Sequence, residues 1–123
     1  MATVVIVAVG VFFLAMGGYA LTAPAALVRP FRLVADTPEA RSEVRAVYGG
    51  FGVATGVLLG VAALGAESIR QGVVIAVGTA LAGMALGRVV SRLVDRATAF
   101  YPIWWYFGVE TVAAGLLFAV AMP

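Results

Sequence analysis

The chain contains no cysteine, no histidine, no lysine and no asparagine. Without cysteine there are no disulfides, no thiolate metal sites and no thiol nucleophile. Without histidine the commonest zinc and haem ligand and the Ser-His-Asp triad are excluded; without lysine, so is the P-loop phosphate cradle. No metal and no cofactor is therefore expected. Charge is scarce too: arginines and carboxylates together make 11% of 123 residues, where a soluble domain carries about 25%. The net charge of +2 and isoelectric point near 9.5 do not point to nucleic acid. The arginines are scattered among apolar helices and make no soluble basic surface.

What is there is apolar. Hydrophobic residues make up 63% of the chain, more than a soluble core of this length can hide, so lipid must cover most of it. Spanning the hydrocarbon takes about 20 mostly apolar residues. Four such stretches are expected at about 3–22, 38–65, 72–95 and 102–122 of one small membrane domain, 1–123, with an interfacial connector at 25–37.

The first run, Thr3 to Leu21, is uncharged and ends at Thr22 and Pro24. It lacks the basic start of a signal peptide and exceeds the usual apolar core of about 7–15 residues, so it is read as a span. In the connector, Leu27, Val28, Phe31, Leu33 and Val34 suit the interface, with Arg29 and Arg32 turned to water or headgroups. Thr37, Pro38 and Glu39 form an N-cap, first position and acidic first turn for the second span. Glu67, Ser68 and Arg70 read as a short turn, and Pro102 suits the start of the fourth span. Short loops make consecutive spans antiparallel neighbours. The expected fold is all-α, an integral membrane bundle of four transmembrane helices running up-down-up-down.

Seven of the eight arginines fall on the side of the connector and the 95–101 turn; Arg70 alone falls on the other. The positive-inside rule places the connector side in the cytoplasm and both termini outside. Aromatic residues, among them Tyr19, Phe31, Tyr48, Trp104 and Trp105, gather on that same side. They suit an interfacial belt, or in part the wall of a lipid pocket. Trp104 and Trp105 lie about 100° apart on a helix and are not expected to share one pocket wall.

Gly49, Gly52, Gly56 and Gly60 recur at spacings of three, four and four, and Gly83 and Gly87 make a second pair. In lipid, such stripes work by letting helix backbones come close. They serve packing within the chain or a homodimer face.

An isolated charge at mid-bilayer costs about 2.5–3.5 kcal/mol on insertion scales, so embedded charges should turn inward and pair. At 1.5 Å per residue, Arg45 lies roughly 10 Å in from the connector side, and Arg88 and Glu110 roughly 12 Å. Three spans thus bring these residues to one level, with Glu43 and Arg92 at a shallower one. The expected network holds Glu110 by Arg88 or Arg45, sets Glu43 near Arg92, and has Tyr48 supplying a hydroxyl. Arg45, four residues before Gly49, should point into the bundle. Two readings stay open. The network is a structural clasp, or its surplus arginine binds an anion, a lipid phosphate or a carboxylate.

The stretch Ala40-Arg41-Ser42-Glu43-Val44-Arg45-Ala46-Val47-Tyr48-Gly49-Gly50 resembles the signature of the DUF4345 family of small four-helix bacterial membrane proteins. Arg29-Pro30-Phe31, the Leu86-Gly87-Arg88 run and the late Glu110 are similar to its pattern as well. The resemblance implies a four-span bundle in a bacterial plasma membrane and no established activity, substrate or cofactor. Small multidrug exporters are similar in size but place their essential glutamate on the first helix, which here is uncharged. Dimeric fluoride channels depend on asparagine, which is missing; DoxX-like proteins share the architecture. The expected role is a non-enzymatic accessory or lipid-interacting module; the alternative is a small carrier or ligand-binding protein using Arg45, Arg88 and Glu110. Membrane lipids are the expected partners, with a homo-oligomer or larger membrane complex left open.

Overall fold

The structure, a computed structural model, describes residues 1–65 and 67–122. Among them the regular structure is helical, without strands: α1 (Ala2–Thr22), α2 (Pro24–Val28), a 3-10 turn (Arg29–Phe31), α3 (Pro38–Val44), a π-helical segment (Arg45–Gly50), α4 (Phe51–Leu64), α5 (Glu67–Val94) and α6 (Ile103–Ala121). Four stretches are long and apolar enough to cross a membrane: α1, the continuous run Pro38–Leu64, α5 and α6. They form an up-down-up-down bundle. The chain is thus an integral membrane protein, and many of its large apolar side chains, Val4, Val11, Leu64 and Leu93 among them, face outward, where lipid replaces water as the surrounding medium.

Local chemistry explains the helix ends. The Thr37 hydroxyl accepts a hydrogen bond from the Ala40 backbone N–H at 3.1 Å, satisfying one of the donors a helix start leaves free. Pro24 occupies the first position of α2, where its missing N–H costs nothing. The connector is therefore more ordered than a plain interfacial strip. Its Val28 and Ala35 fold back and pack with Ala20 and Val44.

The turn expected at Glu67–Arg70 is instead the first turn of α5, which starts five residues earlier than the sequence suggests. Glu67 suits the positive end of a helix. Arg70 reaches back to the end of α4, donating from Nε to the Ala62 carbonyl at 3.2 Å and from Nη2 to the Ala63 carbonyl at 2.7 Å. Those carbonyls lie in the last turn of their helix, where partners run out.

The helices associate as two close pairs, α1 with α4 and α5 with α6, joined by a thinner seam. A shared core of Ile6, Phe13, Leu59, Val74, Leu81 and Leu117 crosses that seam.

Candidate functional site

Glu110 sits on α6, and its side chain is only 5% exposed. A carboxylate so enclosed is costly unless a cation and hydrogen bonds meet it. Arg88 of α5 meets it side-on, donating from Nε to Oε1 and from Nη2 to Oε2, both at 2.8 Å. This two-point fork fixes direction as well as distance. The Arg88 guanidinium carbon also lies 5.8 Å from the Phe31 ring centre and 6.0 Å from that of Tyr106. The two rings sit 5.5 Å apart, and Tyr101 continues the cluster 6.5 Å from Tyr106. Phe31 comes from the 3-10 turn after α2, so the connector is pinned onto the α5–α6 pair through the arginine face.

Of the residues singled out from sequence, the structure pairs Arg88 with Glu110 and leaves Arg45, Tyr48, Glu43 and Arg92 outside that pair. Arg45 is exposed, and its Nε donates to the Leu21 carbonyl at 3.0 Å, at the C-terminus of α1, where a cation is favoured. Arg45 keeps to the side of Gly49, which also meets Leu21, and that side faces α1. Tyr48, in the same π-helical segment as Arg45, lies at the surface, and its hydroxyl makes no hydrogen bond with the described residues. Glu43 and Arg92 are both exposed, and no ion pair joins them among the described residues. Near the aqueous end, each keeps its hydration, and a surface pair is worth only about 0–1 kcal/mol.

The glycines divide likewise. A Cβ on Gly52 would lie 3.0 Å from the Gly17 Cα, and one on Gly56 would lie 2.9 Å from the Gly10 carbonyl. Gly49 packs on Leu21. The partners Gly10 and Gly17, on α1, were absent from the sequence expectation. Their seven-residue spacing was the available signal, since positions i and i+7 share a helix face. Among the described residues, Gly60, Gly83 and Gly87 have open space where a Cβ would go, so they bring no two of the described helices close. Steps of four residues drift by 40° each, leaving Gly60 about 80° from Gly52. Gly83 lies about 200° from the inward-facing Leu81.

Beyond the ion pair, at the end of α5, opens a cleft of about 680 Å³ lined by Arg88, Arg92, Asp95, Arg96, Thr98 and Trp104. Arg88 and Arg92, four residues apart, follow one side of α5, and Arg96 lies just past its end. Across Trp104 lies a second, almost wholly apolar groove of about 570 Å³ between α1 and α6. Trp104 and Trp105 both line it, with Phe12, Phe13 and Phe100. This corrects the expectation that the two indoles cannot share a wall: the groove is broad enough for rings 100° apart to border it. Tyr106, one of the aromatics expected on the connector side, joins the cluster around Arg88, and its i, i+4 spacing from Glu110 was the visible signal for that place.

The family model described as a domain of unknown function, DUF4345, matches residues 1–121. The chain belongs to that family. No curated protein and no solved structure matches it.

Proposed function

We propose that this member of the DUF4345 family is a non-enzymatic, lipid-interacting membrane module in which Arg88 and Glu110 act as a structural clasp. One observation carries the reading: the most deeply enclosed carboxylate has both oxygens engaged by one guanidinium. A carboxylate committed in this way is a poor acid–base group, and the arginine holding it is not a free anion site. Arg45, spent on the end of α1, adds no second cation to the pair, which weighs against a carrier built on Arg45, Arg88 and Glu110.

The test separates scaffold from site. Glu110→Gln and Arg88→Gln should each lower thermal stability in detergent while the folded fraction keeps its co-purified lipid. Unchanged stability with loss of bound lipid or anion would overturn the clasp.

The proposed setting is a bacterial plasma membrane, with the connector side cytoplasmic and both termini outside, supported by seven arginines against one. A chain without cysteine makes the orientation easy to measure. Single Ala2→Cys and Ser68→Cys variants should react with an impermeant maleimide applied to intact cells, and Thr98→Cys only after lysis. The opposite pattern reverses the orientation.

A further inference from the structure

The arginine cleft and the apolar groove are separate cavities that share one wall, Trp104. Their chemistries are those of the two ends of a phospholipid. In the cleft, Arg88, Arg92 and Arg96 stand against Asp95 and, behind Arg88, Glu110. Three guanidinium groups against two carboxylates leave a surplus of one positive charge, which one phosphodiester balances. Since Arg88 is committed to Glu110, that surplus is carried by Arg92 and Arg96, both exposed at the cleft. Guanidinium groups match phosphate oxygens geometrically as well as by charge.

The groove has the dimensions of a chain site. It extends along α6 from Trp104 to Leu116, about 18 Å at 1.5 Å rise per residue. One leaflet of a hydrocarbon core about 30 Å thick is about 15 Å deep. One end of the groove lies beside Phe100 and Trp104, on the arginine-bearing side, and the other lies deeper, beside Ala8, Val9 and Leu116. Polar head and apolar chain would thus enter in the orientation of a lipid in the connector-side leaflet.

We propose that the chain seats one anionic phospholipid from the surrounding membrane, its phosphate against Arg92 and Arg96 and one acyl chain in the groove between α1 and α6. The proposal rests on the lipid-interacting reading and specifies its ligand and its place. Charge complementarity selects this occupant over a second copy of the chain, which would bring another arginine-rich end to the cleft.

The only two tryptophans, Trp104 and Trp105, border the groove, so a brominated acyl chain seated there quenches their fluorescence. The protein is reconstituted in phosphatidylcholine vesicles containing a minor fraction of brominated phosphatidylglycerol or of brominated phosphatidylcholine. The expected result is half-maximal quenching by the brominated phosphatidylglycerol at a several-fold lower mole fraction. In the Arg92→Gln/Arg96→Gln variant that preference disappears, and ordinary contact quenching by both lipids remains. Gly108→Leu, which fills the groove from a position with open space around it, reduces quenching by both. Equal quenching by the two lipids in the unmodified chain would overturn the proposal, as would a preference that survives loss of both arginines. Co-purified lipid is assayed in the same preparations. Lipid retained without headgroup preference defeats this proposal alone, whereas no retained lipid defeats the broader reading too.

Discussion

The α1–α4 pair and the α5–α6 pair meet the same difficulty by different means. In lipid, apolar surface gains little by being buried against another helix, so association needs close van der Waals contact or polar bonds. Between α1 and α4 the backbones themselves approach: Gly10 and Gly17 face Gly49, Gly52 and Gly56 with no room for a methyl group at several of these positions. Between α5 and α6 the larger residues Leu81 and Leu117 enter the core, Gly78 alone receiving the Phe118 ring, and the directional element is the Arg88–Glu110 fork. Glycine contact is short-range and tolerates no growth. The ion pair tolerates small shifts in packing but not the loss of either partner. One pair is therefore sensitive to added atoms and the other to a removed charge.

The largest effect should come from the second pair. Glu110→Gln leaves Arg88 without its counter-charge, and breaking an enclosed pair in this way costs about 3–5 kcal/mol, read as a fall in melting temperature in detergent. Replacing both residues by leucine should recover much of that loss, since an apolar pair needs no partner charge. A double variant as unstable as the single ones would show that the interaction does more than neutralise itself.

Gly17→Ala attacks the first pair. The new Cβ would lie 2.6 Å from the Val53 backbone nitrogen and 2.8 Å from the Gly49 carbonyl, and backbone atoms do not yield as side chains do. Overpacking of this kind costs about 1–3 kcal/mol, and the same melting measurement checks it. Phe31→Ala tests the link between the pairs, because Phe31 reaches Arg88 from the connector after α2. Losing that ring should cost about 1 kcal/mol, with faster amide exchange confined to the connector. Gly83→Ala is the smallest case. With open space around the added methyl, it should be neutral or raise stability by up to about 1 kcal/mol through helix propensity. Marked destabilisation would reveal a neighbour that the isolated chain does not show, such as a second copy packed on α5.

Much of this could be read in advance, though unevenly. Thr37-Pro38-Glu39 marks the helix start that the structure has, because capping depends on a few adjacent residues. At Glu67–Arg70 the same local chemistry misleads. A polar cluster looks like a turn until Arg70 is seen to bond carbonyls of the preceding helix. Depth along each span brought Arg45, Arg88 and Glu110 to one level, but depth leaves rotation about each helix axis unspecified. Rotation sets Arg45, together with Gly49, against Leu21 of α1, while Arg88 alone takes the carboxylate.

Apolar length and the clustering of arginine are additive along a chain. They were enough to define four membrane-crossing helices with charge gathered at one end. Which arginine receives Glu110, which glycines touch and which lie open, and how an arginine cleft comes to share Trp104 with an apolar groove were decided only by packing. A change of one residue in register turns a helical side chain by 100°, and only the neighbouring helix determines which of those directions is inward.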